Sequence, residues 1–220
     1  MNKLLKYLAL AATVAGLAVG SAYATAMMTI NDGVNPIITI SDNGVGDINP
    51  TLGLLDWNGT VGVWTINLDS GSTKPVLGSV TNPILDLSFK AIDGGGVPTK
   101  PLIITFQDSG FVYTGGLVDS IGGTTNGTVL DNLFANGQLV TSVGPFGAGA
   151  FSGSSTANVV LGPSVTSSSL GLQVVITETG VNQITTGDKQ VTAAPDGGTT
   201  ALLVGFGLLG LGLIRRSKKS

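Results

Sequence analysis

The sequence predicts an all-β protein, a two-sheet antiparallel β-sandwich of jelly-roll or Ig-like type, flanked by an N-terminal signal peptide and a single C-terminal transmembrane helix. Three observations carry this reading. Val, Ile, Leu, Thr, Ser and Gly dominate the body of the chain. Apolar and polar residues alternate there in short runs between turn signals, while no long run of helical period occurs. The number of such runs, near ten, suits two packed sheets; a closed barrel is the competing arrangement.

In chain order, Met1 to Ala26 reads as a secretory leader. Lys3 and Lys6 form a positive start, Leu8 to Val19 an apolar stretch, and Ala22-Tyr23-Ala24 or Ala24-Thr25-Ala26 a small-x-small cleavage site. Residues 27–179 form the expected sandwich. Its strands are read at Ile37–Ser41, Leu52–Trp57, Thr60–Leu68, Ile84–Ala91, Pro101–Phe106, Phe111–Thr114, Leu117–Thr125, Thr128–Ala135, Gln138–Val143, Ala150–Leu161 and Leu170–Thr179. Asn58-Gly59 suits a two-residue hairpin turn, because both central residues of a type I′ turn need positive φ. That register sets Trp57 opposite Thr60 and Gly53 opposite Trp64, so that Trp64 covers a bare glycine. Asn126-Gly127 and Asn136-Gly137 repeat the signal, making Leu117–Val143 a three-stranded meander. Residues 180–194 are polar and read as a spacer, and residues 195–220 form a separate C-terminal element.

Charge and composition exclude several functions. The body carries four Lys and twelve acids, a net charge of −8. Such a surface repels nucleic acid. The chain has no Cys and no His. Thiolate or imidazole zinc sites and Ser-His or Cys-His catalysis are therefore absent, and no disulfide supports the fold.

Three constellations remain as candidates. Asp42-Asn43-Gly44-Val45-Gly46-Asp47 places Asp42, Asn43 and Asp47 on a tight glycine-rich loop, with Asp32-Gly33 nearby in sequence. Oxygen ligands on such a loop suit calcium, and the same residues suit a polar β-turn. Trp57 and Trp64 could stack on a sugar or fill a core. The register above favours core for Trp64 and leaves Trp57, beside the turn, as the stacking candidate. A carboxylate pair for glycoside hydrolysis is poorly supported, since Glu178 is the chain's one Glu and many of the Asp residues sit in turns.

The C-terminal element has three parts. Pro195-Asp196-Gly197-Gly198 form a turn. Gly197 to Ile214 carry no charge, and a helix of that length spans roughly 27 Å, close to the ~30 Å hydrocarbon core. Arg215, Arg216, Lys218 and Lys219 follow, a flank that stays cytoplasmic and leaves the body outside. Gly205, Gly207, Gly210 and Gly212 loosen this helix by about 1 kcal/mol each relative to Ala, which suits a temporary segment. Together these parts resemble the PEP-CTERM class of bacterial sorting signals, in its Val-Pro-Asp-Ser-Gly variant. Ala194 stands where Val is usual, and Gly197-Gly198 where Ser-Gly is. The resemblance implies an exosortase-type processing enzyme as partner, a membrane intermediate and delivery to the cell surface or extracellular matrix.

The body also resembles a type of exported protein that carries such tails. The likeness rests on Ile40-Ser41-Asp42-Asn43-Gly44 with Gly46-Asp47 and Asn49-Pro50, on Val61-Gly62-Val63-Trp64, on Lys74-Pro75-Val76-Leu77-Gly78, and on Gly144-Pro145-Phe146 with Gly149-Ala150-Phe151-Ser152-Gly153. It implies an address and no mechanism. The expected function is structural or interactive display without catalysis. The alternative is a carbohydrate- or calcium-dependent binding module, with extracellular polysaccharide as partner.

Overall fold

The computed structural model describes residues 26–162 and 168–194, and it contains twelve strands. The expected leader and the expected transmembrane helix of residues 195–220 lie outside the described residues. In chain order the strands are β1 (Met27–Asn31), β2 (Ile38–Ser41), β3 (Leu54–Val61), β4 (Trp64–Ser72), β5 (Ile84–Ile92) and β6 (Leu102–Ser109). They continue with β7 (Tyr113–Thr125), β8 (Thr128–Ala135), β9 (Gln138–Phe146), β10 (Gly149–Leu161), β11 (Ser169–Thr177) and β12 (Ile184–Ala193). Two six-stranded antiparallel sheets result, ordered β2-β1-β6-β11-β8-β9 and β10-β7-β12-β5-β4-β3.

Alternation along the central strands builds the core. Leu102, Ile104 and Phe106 of β6 and Leu170, Leu172, Val174 and Ile176 of β11 point inward from the first sheet. Leu85, Leu87, Phe89 and Ala91 of β5 meet them from the second. Each large side chain removed from water contributes about 1.5–3 kcal/mol. With no cysteine present, this layer is the main support of the fold.

Four expectations need correction. First, Met27–Asn31, absent from the expected strands, is a strand; Met28 and Ile30 are buried and β1 pairs with both β2 and β6. Second, residues 180–194 are no spacer, because β12 lies between β5 and β7 in the middle of the second sheet. Its inward positions include Thr185 and Lys189, which are buried with polar partners, so polar composition concealed a core strand.

Third, Asn58-Gly59 lies within β3. The β3–β4 turn falls at Gly62-Val63, with Val61 opposite Trp64 and Trp57 opposite Leu68. Gly62 has φ 55° and Val63 is not among the positive-φ residues, the sign pattern of a type II′ turn with Gly first. This register buries Val61, Trp64, Ile66 and Leu68 together. The ring of Trp57, rather than Trp64, covers a glycine, and that glycine is Gly59. Gly53 instead packs its Cα, at φ 87°, against the carbonyls of Thr73 and Lys74.

Fourth, β7 and β8 belong to different sheets, so Asn126-Gly127 links the sheets and Leu117–Val143 is not a meander. Asn136-Gly137 is the hairpin turn expected. Both residues have positive φ (52° and 73°), and Ala135 faces Gln138. Phe111–Thr114 and Leu117–Thr125, read separately, are largely one strand, β7, running through Gly115-Gly116.

A chain ending at Thr179 lacks β12 and leaves the inner edges of β5 and β7 unpaired. It is expected to show no cooperative thermal unfolding by circular dichroism, whereas a chain ending at Ala194 melts in one transition.

Candidate functional site

The Asp42–Asp47 loop folds around its own carboxylates. Asp42 Oδ2 accepts the Gly53 N–H at 2.7 Å and Oδ1 accepts the Asn43 amide at 3.0 Å. Asp47 Oδ2 accepts the Asn43 N–H at 2.8 Å, and its Oδ1 accepts N–H groups of Asn49 and Asp56 at 3.0 and 3.1 Å. Asn43 adopts φ 56°, which its residue type tolerates. The Asp47–Asn49 bond is an Asx-type turn, and the bonds from Gly53 and Asp56 tie the loop to the start of β3. No group of three or more His, Cys, Asp or Glu side chains that could hold a metal gathers among the described residues. Burial raises the Asp42 pKa; the Gly53 N–H opposes this and the charges of Asp47 and Asp108 add to it. Asp32 behaves in the opposite sense. Burial pushes its pKa up, but hydrogen bonds from Asn35 and Val34 outweigh that and hold it below the ordinary value.

Trp57 is half-buried and packs against the core margin, with its ring over Gly59. Trp64 is a core residue. A hollow of about 110 Å³ lies nearby, lined by Asp32, Asn35, Val63, Trp64, Val97 and Lys100. Ligand pockets usually run to about 300 Å³ or more, so it takes little beyond water.

Three buried polar clusters escaped the sequence reading. In the first, the Lys74 ammonium donates to Asp108 Oδ2 at 2.6 Å and to the Ser109 carbonyl at 2.5 Å. The same ammonium lies 4.3 Å from the Phe111 ring centroid, and Thr73 also donates to Asp108. This ties the end of β4 to β6 across the sandwich. In the second, Thr185 donates to Glu178 Oε1 at 2.7 Å and shares a hydrogen bond with Thr125. Burial raises the Glu178 pKa, Thr185 opposes this, and Asp93 raises it further.

The third lies between the sheets. Lys189 of β12 donates to both oxygens of Asp119 on β7, at 3.0 and 3.2 Å, and forms an ion pair with Asp131 of β8 from the opposite sheet. All three side chains are 0% exposed. The signal was parity. Asp119 stands between Leu117 and Ile121, Asp131 between Val129 and Leu133, and Lys189 two residues before Val191, each at an inward position of a period-two run.

With this geometry in view, known proteins offer two findings. The family model described as the VPDSG-CTERM motif matches residues 195–218, so the chain ends in a PEP-CTERM-like sorting tail and is an exported, envelope-associated protein. No curated protein matches the chain. Among solved structures, the body is similar to the apo form of a cyclase from Fischerella sp., at 11% identity and TM-score 0.33, covering 66% of this chain and 89% of that one. It is also similar to the CBM36-1 domain of a multidomain xylanase from the hindgut metagenome of Trinervitermes trinervoides, at 13% identity and TM-score 0.30, covering 60% and 97%. A structure titled "CBM4 structure and function" aligns at 13% identity and TM-score 0.35, covering 68% and 93%. Likeness at this level carries no argument about ligand or activity.

Two outcomes test the loop and the Glu178 cluster. Millimolar Ca²⁺ is expected to leave the melting temperature unchanged if the loop is a polar turn; a rise would support the calcium reading of Asp42, Asn43 and Asp47. Because the folded-state pKa of Glu178 is raised, its proton stabilises the fold below the unfolded value, near 4.5, and that contribution fades as pH rises through the higher folded value. Glu178→Gln should therefore lose less melting temperature than the unaltered protein between acid and neutral pH.

Proposed function

We propose that this protein is a structural or interaction component of the cell surface or extracellular matrix, delivered by an exosortase-type enzyme and performing no catalysis. One observation carries the reading: the VPDSG-CTERM match begins at residue 195, just after β12 ends at Ala193. The sorting signal is thus joined to a central strand of the body. The deeply buried ionisable groups support the same reading, since Lys74, Asp108, Lys189, Asp119 and Asp131 face one another inside the fold instead of lining a cleft.

In this reading the body emerges first and the apolar run beginning at Gly197 holds the chain in the membrane. Arg215 and Arg216 remain cytoplasmic until the processing enzyme acts at or near Pro195-Asp196-Gly197-Gly198. The N-terminus lies outside. The second reading is a carbohydrate-binding module. The partly exposed indole of Trp57 favours it, with extracellular polysaccharide as the partner.

Mass spectrometry of the mature surface or secreted form should show a chain lacking Arg215–Ser220; an intact C-terminus would make the tail a permanent anchor instead. Deleting residues 195–220 should abolish surface retention while leaving the body folded. For the second reading, a glycan array should give binding that Trp57→Ala reduces at least tenfold; no binding at all leaves the structural role.

A further inference from the structure

The Lys189–Asp119–Asp131 cluster is built unlike an ordinary buried ion pair. Its three side chains have no solvent exposure, and two acids face one lysine. The neighbouring inward residues are apolar. Leu87 and Ile121 flank Lys189 in the second sheet, and Val174 stands beside Asp131 in the first. Burying charges in such a setting is costly unless hydrogen bonds satisfy them fully.

The two acids are treated differently. Asp119 accepts hydrogen bonds from Lys189 and, at 3.4 Å, from Thr141. Asp131 accepts none among the described residues, and its contact with Lys189 is its one polar partner there. Lys189 is also shifted toward the amine. Burial lowers its pKa to about 8 although Asp119 works to raise it. A desolvated lysine touching an unsolvated carboxyl group, with a second carboxylate on its nitrogen, has the three parts needed for acyl transfer: nucleophile, acyl donor and proton carrier.

We propose that Lys189 and Asp131 are joined in the folded protein by an intramolecular amide bond between Nζ and Cγ, with Asp119 as the catalytic proton carrier. One ammonium proton passes to Asp131 across their contact, leaving an amine facing a carboxylic acid. The nitrogen lone pair attacks Cγ, forming the N–C bond and a tetrahedral intermediate. Asp119 takes a second proton from the nitrogen and delivers it to a hydroxyl of the intermediate. The C–O bond breaks and water leaves. The third proton stays on the amide nitrogen, which keeps its hydrogen bond to Asp119. Nothing is oxidised or reduced and no co-reactant is consumed. The product replaces an ammonium–carboxylate pair by a neutral amide and removes one of the two unpartnered Asp131 oxygens.

The bond would link β8 of the first sheet to β12 of the second. β12 is the strand that leads directly into the sorting tail. Tension applied to the C-terminus would therefore meet a covalent stop at residue 189. In a chain without cysteine, this cross-link would take the place of disulfides.

Glu178, the single Glu of the chain, lies between the two linked positions. The purified folded protein is denatured, cut with a Glu-selective protease and separated under denaturing conditions. The two fragments should remain joined, with a combined mass lower by one water than cleavage alone gives. Lys189→Met and Asp131→Ala should release them. Because either variant could misfold, Asp119→Asn provides the second arm: both bonded residues remain, and the fragments should separate at full mass. Asp131→Asn should rejoin them with loss of ammonia in place of water. Separate fragments at full mass from the folded, unaltered protein would overturn the proposal. Joined fragments from Asp119→Asn would overturn the role given to Asp119.

Discussion

The second sheet cannot close until its last strand is in place. β12 sits between β5 and β7, and its register runs from Ile184 opposite Ile92 to Ala193 opposite Leu117. Until those residues arrive, β5 and β7 present unpaired edges toward each other and the inner face of the sheet is incomplete. The pairing is long-range in sequence, the kind of contact whose closure entropy is overcome late in folding. The sorting motif begins at residue 195, so the end of the fold and the start of the address nearly coincide.

The charges inside the sandwich follow from that same strand. Lys189 reaches across the layer between the sheets to Asp131, while Asp119 meets it from the neighbouring strand. A one-residue slip of β12 would turn Lys189 outward and leave two acids buried without a cation, so the cluster specifies register as well as contact. The clamp of Lys74 on Asp108 does similar work at one end of the sandwich, and the Glu178–Thr185–Thr125 chain at the other. Neither is cheap in desolvation, and each penalises a misaligned sheet.

Along one side the sandwich is stitched shut without charges. β9 and β10 are edge strands of opposite sheets. The rings of Phe146 and Phe151 stack at 5.2 Å across their junction, and Ser155 bonds Thr141 at 2.8 Å. These contacts hold two exposed edges against each other, which limits pairing with other chains. At the end near β2 and β3, the carboxylates of the Asp42–Asp47 loop accept from Asn43 within it and from Asn49, Gly53 and Asp56 beyond it.

Much was written in the sequence because it depends on local rules. Period-two alternation located ten of the twelve strands at least in part, and the Asn136-Gly137 turn was legible because positive φ is a residue-level property. The sorting tail was legible because it is a linear signal. Tertiary structure decided the rest. Asn58-Gly59 and Asn126-Gly127 carry the same turn chemistry, yet the first lies inside β3, where the register buries Val61, Trp64 and Ile66, and the second joins two sheets. β12 looked polar because its inward lysine and threonine have partners that only folding brings near. Asp119, Asp131 and Lys189 are far apart in the chain. Residue type and parity set each one facing inward; only the packing of two sheets put them on one another.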